Sequence, residues 1–198
     1  VSRLTDLHGD AALGLTVRLR LINAANYSGN HELVLVAFTW CLAQMDRDEE
    51  LRKLSERKLL WYHRQNLRQT LSSRDFLGTI GPHIVYLSLT GRNAAALKLF
   101  ETGVAWLAVT RRTWERMLFA EHAAVLFERM ASEANEPIQI RIPEAIPIYR
   151  SDDTYRPAAV AAAMNDMRME LAAEFDRRNQ NQSMEHRHQR FRQLLESL

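Results

Sequence analysis

The chain lacks most of the features that announce a compartment or a reaction. A single cysteine, Cys41, has no partner for an intrachain disulfide, so nothing calls for an oxidising compartment and a cytoplasmic setting is expected. No apolar stretch approaches the ~20 residues that a membrane span needs, because even residues 33–43 are closed off by Gln44, Asp46 and Arg47. Charge of one sign is missing too. With 26 Lys and Arg against 24 Asp and Glu, the formal net charge is +2, so any attraction to nucleic acid or an anionic surface needs a local patch. Residues 78–81 lack the lysine of a phosphate cradle, and Ser55, Ser72, Ser73 and Ser88 lack the flanking glycines of a nucleophile elbow. The chain opens on Val1, Ser2 and Arg3, with neither a start methionine nor a signal-type apolar core, and is expected to be a fragment or processed product of something longer.

Seven histidines invite a metal reading, but their spacing does not support one. His186 and His188 point to different faces of a helix, and Glu121, His122 and Glu128 lack the Glu-x-x-His spacing of a helical di-iron site. Cys41 lies in an apolar run, where a thiol is usually inert packing. No metal, cofactor or catalytic residue is assigned on this reading, and binding is expected over catalysis.

What the chain does have is helical periodicity. Leu13, Val17, Leu21, Ala24 and Ala25 recur at helical spacing from Asp10 to Tyr27, with Arg18, Arg20 and Asn23 opposite them. Residues 31–45 are apolar nearly all round and should form a buried helix, and residues 51–71 read as a more polar one. Gly81 with Pro82 marks a break, after which residues 83–89, 93–109 and 113–134 continue the pattern. At Pro137 the character changes. Ile138, Ile140 and Ile142 alternate with Gln139 and Arg141, and Pro143 and Pro147 forbid a helix interior, so residues 138–149 should be a short extended or β-like arm. Covering its own helical stack is the plainer role for this arm, and adding to a partner's sheet edge the rival one. An Ala- and Met-rich helix should follow from residue 157, with a fraying point at residues 179–183.

Two helix pairs resemble each other. When Gly29 is placed on Gly91, Ile22 meets Ile84, Val34 meets Ala96, Leu35 meets Leu97, Phe38 meets Phe100 and Cys41 meets Gly103. A turn glycine sets the helix angle, small residues permit close approach, and the phenylalanine fills the gap to the next helix. Ala96, Phe100 and Gly103 in this spacing resemble the second helix of the tetratricopeptide repeat. The resemblance extends over residues 10–130, without the tryptophan, leucine and glycine signature in the first helix of each pair. It implies an all-α chain of helical hairpins, stacked as a solenoid or an irregular bundle. The expected segments are a hairpin domain at residues 1–135, the arm at 136–156 and a C-terminal helical segment at 157–198.

A stack of this kind implies a protein-interaction module that holds a peptide or partner helix in a groove. The resemblance puts the first helix in that groove, which makes Arg18, Arg20, Asn23 and Asn26 the candidate partner-binding residues. A second reading is a nucleic-acid surface formed by Lys53, Arg57, Lys58, Trp61 and Arg64, where cations alternate with aromatics. A third is an enzyme or small-ligand sensor with a pocket between helices. Arg111, Arg112 and Arg116 beside Trp114 form a smaller cluster, suited to an acidic peptide or to capping helix carbonyls. Met164, Met167, Met169 and Met184 suit core filling or a homo-oligomer contact through the C-terminal helix.

Overall fold

In the helix Thr113–Glu133, every residue from 117 to 127 is buried, so its middle turns present no face to solvent. Such a helix must be covered from several sides at once. The structure, a computed structural model, describes residues 10–27, 33, 36–37, 40–41, 44, 64, 67–68 and 70–196, with backbone alone at 23, 26, 27 and 194. Among the described residues there are six α-helices: α1 (Ala11–Tyr27), α2 (Leu77–Leu89), α3 (Asn93–Leu107), α4 (Thr113–Glu133), α5 (Pro157–Asn179) and α6 (Ser183–Glu196). A 3-10 turn at Arg74–Phe76 leads into α2, and one two-stranded sheet lies between α4 and α5. The chain is thus mostly helical, and no described helix is long and apolar enough to cross a membrane. It divides into two compact units, one from Val1–Gln69 with His186–Leu198, the other Thr70–Glu185.

In the first unit, Asp10 starts α1 by accepting the Leu13 N–H at 2.9 Å, the usual side-chain cap of an orphan donor. The buried stripe of α1 is Leu15, Arg18, Leu19, Ile22 and Ala25, whereas Leu13 is half exposed and Ala24 exposed. This corrects the face read from the sequence. Two apolar stripes run along the helix, and the one that wins contains Gly14, where a Cβ would come 2.7 Å from the Trp40 ring. Arg18, one turn on, lays its guanidinium over that same ring at 3.6 Å from the centroid.

The second unit is built around α4. α2 continues through Pro82 instead of breaking there: the proline stands in the second turn and forgoes the hydrogen bond to Gly78 O, and most of the helix around it is buried, so packing holds the turn. Gly78 and Gly81 share one face of α2, and a Cβ at either would clash with α4: 2.7 Å from Glu115 Oε2 at Gly78, 2.6 Å from His122 Nδ1 at Gly81. The two helices therefore approach more closely than any side chain would permit. α2 ends in a Schellman turn, with Gly91 at φ +70, its N–H donating to Ser88 O and the Arg92 N–H to Leu87 O. α3 then buries Ala96, Leu99, Phe100, Gly103, Val104 and Leu107. Phe100 stacks on Phe119 at 5.9 Å and meets Phe127 edge-on at 4.7 Å, while Gly103 leaves the room that the Phe119 ring occupies.

The remaining side of α4 is covered by α5, running antiparallel: Asn165 donates to Glu128 near one end, and Leu171 and Ala172 pack with Met117 and Leu118 near the other. Ile138 and Gln139 pair antiparallel with Tyr155 and Thr154. Beyond this short strand, Ile140, Ile142 and Ile146 turn inward and are buried. Glu101 on α3 holds the arm by accepting the Arg141 N–H at 2.8 Å. The arm and α5 lie in one compact unit with α2, α3 and α4. Gln180, at φ 52, makes the corner after α5, and Asp176 accepts the Met184 N–H at 3.0 Å to start α6.

Candidate functional site

Of the residues proposed for partner binding, Arg20 is exposed and Arg18 is turned onto Trp40 with 8% of its surface accessible. Asn23 and Asn26 lie on α1, and their side chains fall outside the described residues. Among the proposed nucleic-acid contacts, Arg64 is exposed, while Lys53, Arg57, Lys58 and Trp61 lie outside the described residues. Cys41 is fully buried, and burial pushes its thiol up to about 12 against the smaller opposing pull of Arg18. It holds its proton at neutral pH, as packing cysteines do.

The interior carries more polar chemistry than the sequence suggested. His83, Glu121 and His122 are 8%, 2% and 0% exposed. The His122 Nδ1 lies 2.6 Å from Leu118 O, and a carbonyl only accepts, so Nδ1 carries a proton. That bond, together with Gly81 against the ring, fixes the imidazole in one orientation. Among the described residues, no three His, Cys, Asp or Glu side chains converge to hold a metal ion.

On the surface of the second unit lies an open groove of about 710 Å³. One wall is the outer face of α3, where Lys98, Glu101, Thr102 and Ala105 fall at i, i+3, i+4 and i+7, opposite the buried Ala96, Phe100 and Gly103. The other wall is the arm, through Arg141, Ile142 and Pro143, with Asp153 from the turn before the second strand. Cations and carboxylates therefore line it together with an apolar strip. Glu101 forms its hinge, since its carboxylate takes the Arg141 N–H and lies 3.8 Å from the Arg141 Nε. The sequence reading missed this wall, although the signal was there: once Ala96, Phe100 and Gly103 are assigned to the core, the opposite stripe of α3 follows from helical spacing. The arm that folds back to form the second wall is held by its buried isoleucines together with the Glu101 bond, and nothing local in the sequence shows it.

Comparison with known protein families, curated proteins and solved structures gave no match.

Proposed function

We propose that this chain is a non-catalytic interaction module that holds a peptide or a partner helix. The observation that carries the reading is the groove between α3 and the arm, whose volume of about 710 Å³ falls in the range of ligand-binding clefts. It is open along its length and lined by charges of both signs, which suits a polypeptide better than a small molecule sealed from water. The tetratricopeptide-like repeat draws support from burial: with Gly29 on Gly91, Leu15 and Leu77, Ile22 and Ile84, Ala37 and Leu99, and Cys41 and Gly103 are buried at both members of each pair. On that reading, the Arg20, Asn23 and Asn26 side of the first hairpin offers a second contact surface. A cytoplasmic location and self-association through α5 belong to the same proposal. Met169, 54% exposed on α5, is the residue we assign to a dimer contact, and light scattering of the wild-type chain and Met169→Glu measures it.

The test is affinity capture from the native source with Ala105→Arg, which fills the groove from an exposed position, compared with the wild-type chain. Specific partners should be lost with the variant while its helical circular dichroism is unchanged. Recovery of the same proteins by both would refute the assignment.

A further inference from the structure

The ends of three helices bring together a surface outside the groove. Trp114 in the first turn of α4 is 36% exposed and meets Phe175 of α5 edge-on, with ring centroids 6.0 Å apart. Arg178, one turn further along α5, holds its guanidinium 5.1 Å from the centre of the Phe175 ring. On the other side of Trp114 in sequence, Arg111 and Arg112 are exposed, and Arg112 reaches Asp75 at 3.2 Å, which brings in Phe76, itself 44% exposed. Two aromatic residues thus stand at the surface among three arginines.

The charge that faces outward is positive. Asp75 is engaged by Arg112, and Glu115 turns away to accept the Gly78 N–H at 2.6 Å. Asp75 stays exposed but is offset by Arg112, which leaves Arg111 and Arg178 as the net positive charge of this surface. Aromatic and arginine side chains are also the residues that dominate binding energy at protein interfaces, because they bury large area and pair carboxylates through a planar fork.

We propose that this surface binds an acidic peptide segment, with Arg111 and Arg178 pairing its carboxylates, Arg112 offsetting Asp75, and Trp114 and Phe76 receiving an aliphatic or aromatic side chain. A nucleic-acid strand fits less well, since three arginines with Asp75 among them neutralise too few phosphates to hold a backbone at physiological salt. The surface shares no residue with the α3 groove, so its failure would leave the groove assignment standing, and the reverse also holds.

A random-peptide phage library panned on this chain tests the proposal. The enriched sequences should carry Asp and Glu flanking Leu, Ile, Phe or Trp, and a synthetic copy should bind about tenfold more weakly to Trp114→Ala and to Arg111→Glu. Arg111→Glu lies at an exposed position and reads the charge effect without touching the core; Trp114→Phe should restore most of the affinity lost in Trp114→Ala. Enrichment of neutral or basic sequences, no enrichment over bare matrix, equal binding by wild type and both variants, or tighter binding of an oligothymidylate than of any enriched peptide would each overturn it.

Discussion

Helices α4 and α5 lie side by side and antiparallel, yet they are held by different means. α4 is buried on every face through its middle and accepts its neighbours by shape: Gly78, Gly81 and Gly103 make way for Glu115, His122 and Phe119. α5 buries one stripe, Val160, Ala161, Met164, Arg168, Leu171 and Ala172, and leaves the rest to solvent. It is placed at its ends by hydrogen bonds: the Ala158 N–H donates to Asn135 Oδ1 at 3.1 Å, and the Met184 N–H at the start of α6 donates to Asp176. The contrast shows that the burial of a single residue depends on what surrounds its helix as well as on its own polarity. Glu121 and His122 go into the interior with α4, whereas Met169 remains on the surface of α5.

If this contrast is right, substitutions that change shape around α4 should have the largest effects. Phe100→Ala removes a fully buried ring from between Phe119 and Phe127 and should cost about 3–5 kcal/mol in urea unfolding. Gly103→Ala should follow at about 1–3 kcal/mol, since its methyl must displace the Phe119 ring. By contrast, Glu170→Ala at an exposed position of α5 should stay within about 0.5 kcal/mol. Equal losses at Gly103 and Glu170 would erase the distinction between the two helices.

A smaller effect, with a defined pH dependence, is expected at Glu115. Its carboxylate accepts the Gly78 N–H, so Glu115→Ala should cost about 1 kcal/mol, as loss of an N-terminal cap does. Burial raises the Glu115 carboxyl above the usual range, against the opposing pulls of the Gly78 N–H and Arg112. A group raised on folding favours the folded chain most when protonated. That contribution is complete below the ordinary glutamate value and is lost as pH rises through the raised one. Glu115→Gln should therefore gain stability relative to wild type as pH rises across that window, measured as thermal midpoints. A constant difference between the two would remove burial as the cause.

The smallest change belongs to the exposed turn before the second strand. Arg150 donates to both oxygens of Asp152 at 3.1 Å, and this pairing, with the Thr154 N–H, holds the Asp152 carboxyl below its usual range. Its contribution is present above the ordinary aspartate value and disappears as pH falls through the lowered one. Asp152→Asn should lose only this acid-side dependence, and a large loss at neutral pH would contradict the exposed, solvent-screened character of the pair.

The helical class was legible because long stretches keep a three-to-four residue period, and the arm was legible because Pro143 and Pro147 exclude a helix. Gly91 was legible as a turn, and Ala96, Phe100 and Gly103 as one packing face. The face of α1 was not, because Leu13 and Leu15 begin two competing apolar stripes and only the Trp40 ring over Gly14 and Arg18 chooses between them. Pro82 was misread as a break because local rules ignore the cover that neighbouring helices provide. In the candidate groove, Lys98, Glu101, Thr102 and Ala105 could have been found by subtraction from the core, but Arg141 and Asp153 arrive by tertiary folding alone.

The most direct test of the interaction reading is backbone hydrogen exchange of this chain, alone and bound to a partner captured from the native source. Added protection at residues 98–105 and 141–143 is the predicted result. Unchanged exchange at both walls of the groove while the partner is bound would contradict it.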